Sequence, residues 1–172
     1  MIRKSNRYSK PRKSYEASRM KDENLLVEKY GLKNKKEIWK TIAKVNYFRK
    51  RAMALAKTPE EEQEVLFGKL RGLGLKVNTT ADVLALTVED LLNRRIPTIL
   101  AKKGFASTVK AARQMVVHRR VMINDRFIKV PSYLVFVNEE NQIKIKSSSP
   151  KATKKEEAPK SEQVQEVKEA QA

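Results

Sequence analysis

The sequence predicts an α+β chain with three parts: a helical N-terminal domain, a small basic module of a two-helix turn unit followed by a short antiparallel sheet, and a disordered C-terminal tail. Three observations predict it. Apolar residues recur at helical spacing from about Asp22 to Val117, the period falls to two from Val121, and apolar periodicity is lost after Lys146. With shifts in charge, these breaks divide the chain into a basic arm (residues 1–21), a helical domain (22–86), the module (87–137), a short terminal strand (138–146) and the tail (147–172).

The arm sets eight bases, among them Arg3, Lys4, Arg7, Arg12 and Lys13, against the single acid Glu16. Tyr8 and Tyr15 interrupt the charge and offer faces for stacking. Asp22–Tyr30 reads as a short amphipathic helix closed by Gly31. Asn34 followed by Glu37 has capping-box spacing and opens a long helix to about Lys57. Ile38, Ile42, Val45, Phe48, Ala52 and Leu55 form its inward stripe, with Trp39 packing beside it. Lys40, Lys44, Arg49, Lys50 and Arg51 lie off the stripe and extend the basic surface. Thr58-Pro59-Glu60-Glu61 starts the next helix with a cap, a proline and first-turn acids. Val65, Leu66, Leu70 and Leu73 are its core positions, and Gly72 and Gly74 end it. A helix over Ala81–Leu86, capped by Thr80, leads into the module.

The module begins with a second capping-box signal, Thr87 with Asp90. Arg94–Lys103 reads as a helix that re-caps near Asn93, which puts Pro97 in its first turn; Ile96 and Leu100 face inward and Gly104 stops it. Ser107 is the expected cap of the helix Thr108–Val117, whose basic arc (Lys110, Arg113, Gln114) opposes an apolar arc that includes Ala112 and Val116. Val121–Ile123 and Arg126–Val130 read as strands joined by a tight turn at Asn124-Asp125. Pro131-Ser132 is a bend, Tyr133–Val137 a further strand, Asn138–Gln142 a polar turn and Ile143–Ile145 a last strand.

Charge is the strongest functional signal. Formal net charge is +18, and between Arg94 and Lys129 ten Lys and Arg residues face one acid, Asp125. So much charge of one sign on a small module is a footprint for a polyanion. No apolar run approaches the roughly 18 residues of a membrane span, and no signal segment opens the chain, so a cytoplasmic protein without membrane contact is expected. With no cysteine and a single histidine, His118, no thiolate metal site, thiol nucleophile or metal-ligand spacing exists. Five glycines provide no phosphate-cradling loop, and the acids Glu60–Glu64 read as helix N-terminal charge. Neither catalytic residues nor a cofactor, metal or small-molecule substrate are expected.

The stretches Arg94-Arg95-Ile96, Lys103–Ser107, Ala111–His118, Val121–Asn124 and Val130–Val135 resemble the S-four RNA-binding domain. With Tyr30–Lys40 and Asp82–Leu92, the chain from about Glu23 to Val137 resembles the small-subunit ribosomal protein S-four family in its archaeal and eukaryotic branch. Some bacterial members carry an N-terminal cysteine metal knuckle, which this chain cannot form. The resemblance implies a monomer within the ribosome that binds small-subunit ribosomal RNA directly at a multi-helix junction. It implies a part in nucleating assembly of the subunit body, and contact with the neighbouring ribosomal protein S-five at an interface tied to decoding accuracy. The residues expected to meet RNA are Arg94, Arg95, Lys102, Lys103, Thr108, Lys110, Arg113, Gln114, His118, Arg119, Arg120, Asn124, Arg126 and Lys129, with Arg3, Lys4, Arg7, Arg12 and Lys13 of the arm. Alternatives are a free RNA-binding regulator or chaperone, a DNA-binding helix-turn-helix factor, and the guide module of an RNA-modifying enzyme. Two positions depart from the family, which has glycine where this chain has Arg119 and Asp125. Both are expected at positive φ, so local strain is expected there.

Overall fold

The computed structural model describes Asn6 and residues 8–146. The tail, and Arg3, Lys4 and Arg7 of the arm, lie outside the described residues. Helices α1 (Ala17–Lys29), α2 (Lys35–Leu55), α3 (Glu60–Gly72), α4 (Thr80–Ala85) and α5 (Val88–Asn93) are followed by the turn pair α6 (Ile96–Lys102) and α7 (Val109–Val117). Strands β1 (Val121–Ile123) and β2 (Arg126–Phe127), helix α8 (Val137–Glu140) and strand β3 (Ile143–Ile145) complete the described chain. The sheet is antiparallel in the order β2-β1-β3, with Ile123 opposite Arg126 on one side and Ile143 on the other. The α+β class is as expected.

Three apolar clusters hold these elements. Val45, Ala52, Leu66, Phe67, Leu70, Val77, Val83 and Leu91 close the helical unit. Ile96, Leu100, Ala112, Val116, Val121, Val135 and Ile143 close the module. Tyr30, Leu32, Ile38 and Leu92 join α1, α2 and α5. Burial of this kind contributes about 25 cal/mol per Å² of apolar surface.

Several elements differ from the sequence reading, each for a local reason. α1 starts at Ala17, inside the stretch read as arm, because Arg19 pairs with Glu23 one turn on (2.6 Å) and donates to the carbonyls of Lys13 and Ser14. Buried Glu23 also accepts from Trp39 Nε1 (3.0 Å), which fixes α1 to α2. α2 ends at Leu55, and Ile42 is exposed. In α3 Val65 is exposed and Phe67 takes its core place. α4 is capped by Thr79, not Thr80, because Asp82 closes a reciprocal box with Thr79. The Thr87–Asp90 box forms as expected. Arg95 stands at the N-cap position of α6, with Pro97 in the first turn. Thr108, not Ser107, caps α7, its hydroxyl accepting from the Ala111 amide. Only Arg126–Phe127 of Arg126–Val130 is strand. Tyr133–Val137 is not a strand of the sheet. It pairs instead with the link between α5 and α6: the Ile96 amide donates to the Tyr133 carbonyl and the Val135 amide to the Arg94 carbonyl. Glu139 then accepts from the Phe136 amide and the Tyr133 hydroxyl, so the expected polar turn is the helix α8. Burial and this carboxylate push the Tyr133 hydroxyl up to about 12.

The seam between the helical unit and the module is electrostatic. Glu37 does not close a box with Asn34, which makes no side-chain cap. Its carboxylate is bracketed by Arg95 Nη2 (2.6 Å to Oε2) and by both terminal nitrogens of Arg113 (Nη2 2.6 Å to Oε1, Nη1 3.1 Å to Oε2). Gly31 lets the α1–α2 turn approach α7. Its φ is +57°, and a Cβ there would stand 3.2 Å from the Lys110 amide nitrogen. Gly74, at φ +76°, similarly faces the Arg94 guanidinium, whose carbon would lie 2.7 Å from a Cβ.

Burial alone would raise the Glu37 pKa, but hydrogen bonds from Arg113 and Arg95, with their charges, outweigh it and hold it below the usual 4.5. A carboxyl lowered on folding stabilises the fold above its unfolded pKa, and that stabilisation is lost as pH falls through the native pKa. Removing one member of such a group leaves a buried charge unpaired, at a cost of about 3–5 kcal/mol. Glu37→Gln should therefore lower the unfolding free energy by roughly that range in urea titrations at neutral pH. The loss should shrink in acid, and equal stability of the two proteins at neutral pH would show that the seam does not rest on this carboxylate.

Candidate nucleic-acid interface

α7 sorts its side chains by register. Ala112 and Val116 are buried in the module core, Arg113 turns to Glu37, and Lys110, Gln114 and His118 stand one turn apart on the exposed side. Residues four apart share a helix face, so these three make a row. The chain leaves α7 through His118-Arg119-Arg120, all exposed, and the hairpin presents Asn124, Arg126 and Lys129.

The exit of α7 keeps the geometry that glycine normally supplies. The Arg120 amide donates to the Met115 carbonyl and the Arg119 amide to that of Val116 (both 3.0 Å), a Schellman closure with Arg119 at φ +55°. Asn124 and Asp125 take φ +49° and +60°, as the two central residues of a type I′ hairpin turn must. The expected strain is thus present. Asx side chains tolerate this region, whereas a long side chain such as Arg does so at about 1–2 kcal/mol. The turn is held because the two amide bonds and the burial of Val116 and Val121 on either side over-determine it.

The expected contact residues fall into three groups. Lys102, Lys110, Gln114, His118, Arg119, Arg120, Asn124, Arg126 and Lys129 are exposed, as are Arg12 and Lys13 of the arm. Lys102 leans on Asn93 (3.2 Å), and Lys103, also exposed, donates to the Glu140 carbonyl. Thr108 is engaged as a helix cap. Arg94, Arg95 and Arg113, in contrast, are committed inside the fold. Arg94 forms a two-nitrogen pair with Glu140 (3.1 Å each) and donates to the Val135 carbonyl, while Arg95 is 5% exposed and shares Glu37 with Arg113. Arg94 and Arg95 thus each spend part of their guanidinium on an ion pair inside the fold, with partners 46 and 58 residues away. Nothing in the local sequence of the RR pair signals those partners.

A cleft of about 290 Å³ lies at the seam, with Lys40, Lys44, Arg95 and Arg113 among its lining residues. Burial, and then the charge of Arg95, hold the Lys44 pKa below the usual lysine value. Lys40 and Lys44 were read from sequence only as an extended basic face. No cluster of metal-ligating side chains occurs among the described residues, and no helix among them is long and apolar enough to cross a membrane.

Fold and surface together define a polyanion-binding protein: a rigid helix-turn-helix and sheet that displays cations, braced on a helical unit. Comparison with known proteins narrows this. The S4 domain model matches residues 94–141. Small ribosomal subunit protein uS4 of Methanothermobacter thermautotrophicus is 45% identical over 151 residues, covering 84% of this chain and 88% of its own. The uS4 proteins of Methanococcus aeolicus (40% identical, 88% of this chain and 89% of its own) and Nanoarchaeum equitans (38%, the full length of both) are similar. The chain belongs to the uS4 family of small ribosomal subunit proteins.

Replacing the strained residue should separate folding from surface charge. Arg119→Gly should raise the unfolding free energy by about 1 kcal/mol, read as a higher urea midpoint at unchanged slope. A midpoint that stays put or falls would mean that the Arg119 side chain stabilises the free protein by as much as its backbone costs.

Proposed function

We propose that this chain is a structural constituent of the small ribosomal subunit that binds small-subunit ribosomal RNA directly and makes or breaks no bond. The observation that carries the reading is the exposed, acid-poor series Lys102, Lys110, His118, Arg119, Arg120, Arg126 and Lys129 on a braced module, in a chain of the uS4 family. Side chains cannot read the deep, narrow major groove of A-form RNA, so a fixed array of cations recognises the spacing of phosphates in a folded RNA more than its sequence. The helical unit orients the array through Glu37, and the bases of the arm lengthen it.

The finer role follows from the family resemblance. The chain acts early, binding a multi-helix junction and nucleating assembly of the subunit body, in cytoplasmic ribosomes. It enters the particle as a single copy, contacts the neighbouring protein S-five and influences decoding accuracy through that contact. Crosslinking in cells followed by sequencing of the bound RNA tests the placement. Enrichment of one small-subunit rRNA junction supports it, and enrichment of messenger or transfer RNA instead would replace it with a free RNA-binding role.

Phosphate contacts release counterions, so log affinity falls with log salt by about 0.9 per contact on B-DNA-like duplexes and about 0.7 on single strands. Arg120→Ala and Arg126→Ala should each weaken binding to a structured small-subunit transcript and flatten that dependence by about one contact's worth. Arg113→Ala should chiefly destabilise the fold, because it strips Glu37 of one bracket. Filter-binding titrations over a range of salt, beside urea unfolding, separate the two effects. An unaltered salt dependence for both Arg120→Ala and Arg126→Ala would remove this surface from the function.

A further inference from the structure

The cleft at the seam is lined by four cationic side chains and one carboxylate. That carboxylate, Glu37, has both oxygens occupied by Arg95 and Arg113. Arg95 is 5% exposed, yet its Nε and Nη1 have no hydrogen-bond partner. Buried guanidinium edges left unpaired are costly and rare in native folds. Lys44 reaches the same space with no acid within ion-pair distance among the described residues, and its neighbours there are Lys40, Arg95 and Arg113. The excess of positive charge sits in a partly enclosed volume with apolar walls at Leu91 and Leu134, where a field is focused rather than screened.

We propose that this cleft takes one phosphate group of the bound RNA, held by Lys40, Lys44 and Arg113 with the Arg95 guanidinium behind them. The proposal rests on the reading of this chain as an rRNA-binding protein and adds a contact that bridges its two units. An oxyanion with several acceptor oxygens matches donors converging from α2 and from α7. Gly31 accepts from Arg113 Nη1 (3.5 Å) and packs against Lys110, so an arginine of the cleft and the first residue of the exposed row meet at one turn, and a strand following that row can reach the cleft. Lys40 also lies 5.9 Å from the Tyr8 ring, which brings the basic arm to the same place. A phosphate bound here would join α2 to α7 beside the Glu37 bracket, so that RNA binding tightens the seam.

Lys44→Met tests this, because Lys44 makes no ion pair among the described residues that the change would orphan. The first measurement is thermal unfolding of the full chain without RNA, in sodium phosphate and in sodium chloride at matched ionic strength. Phosphate should raise the Tm of the unaltered protein, and Lys44→Met should lose at least half of that rise while keeping its Tm in chloride. The second is the salt dependence of binding to a structured small-subunit transcript, which should flatten by about 0.7–0.9 in the variant. A phosphate-specific rise that Lys44→Met abolishes, with unaltered RNA salt dependence, would assign the cleft to free phosphate and overturn RNA as its occupant. The absence of both effects would overturn the cleft as an anion site. If the unaltered protein failed to bind the transcript at all, the ribosomal reading would fall, while the phosphate arm would still decide whether the cleft holds an oxyanion.

Discussion

One carboxylate sets how the two halves of this molecule face each other. Glu37 stands in the first turn of α2 and is gripped by Arg95, at the start of α6, and by Arg113, in the middle of α7. The grip therefore reaches both helices of the turn unit. Apolar contacts also cross between the halves, through Leu92 and Leu134, but hydrophobic burial is non-directional and does not fix an angle by itself. Bidentate guanidinium–carboxylate bonds are directional, and desolvation penalises any arrangement that leaves one member unpaired. The display of Lys110, Gln114 and His118 relative to the helical unit depends on that geometry.

The same logic sorts the charges of the whole chain. Several of its acids tie the fold together: Glu23 with Arg19 and Lys35, Glu89 with Lys29 and the Tyr30 hydroxyl, Glu140 with Arg94. Each joins helices or fixes a segment that follows the sheet. Bases outnumber acids, so once these pairs are made the unmatched cations remain on the surface. Among the described residues the Lys and Arg side chains thus divide into those paired with acids, which shape the protein, and those left unpaired on its surface. α7 shows both kinds within one helix, since Arg113 pairs with Glu37 while Lys110 stands exposed.

Signals confined to one turn were legible in the sequence. The Thr87–Asp90 box, Pro97 in a first turn, the apolar arc of α7 and the Asn124-Asp125 turn each depend on neighbours within a few residues. Signals that depend on distant partners were not. Asn34 and Glu37 have capping-box spacing, but two arginines 58 and 76 residues further on outcompete the local amide for the carboxylate. Tyr133–Val137 has strand composition, yet its backbone partners lie at Arg94 and Ile96, and Glu139 folds the following residues into a helix. Val65 and Phe67 are both apolar, and only the packing of α3 decides which of them is inside. The basic surface was readable as a charge; which arginines compose it was not, because pairing is a tertiary property.

An array of cations held closer than they would choose makes the free protein less stable than its packing allows. Arg119 occupies a conformation its side chain disfavours, and Lys44 stands with Arg95, Arg113 and Lys40 around one cleft. The Arg119 turn is held by its backbone bonds, but the exposed Arg119 side chain makes no ion pair among the described residues that would favour it over glycine. Both become sensible when the reference state includes a bound polyanion: a ligand that binds only the folded chain stabilises it by RT ln(1 + [L]/Kd), about 4 kcal/mol at a thousandfold excess over Kd. That exceeds the strain of one left-handed arginine, about 1–2 kcal/mol. Selection acting on the assembled particle can therefore keep residues that selection on the free protein would remove. Folding and RNA binding become two readings of one equilibrium, and it is the array, more than the core, that connects them.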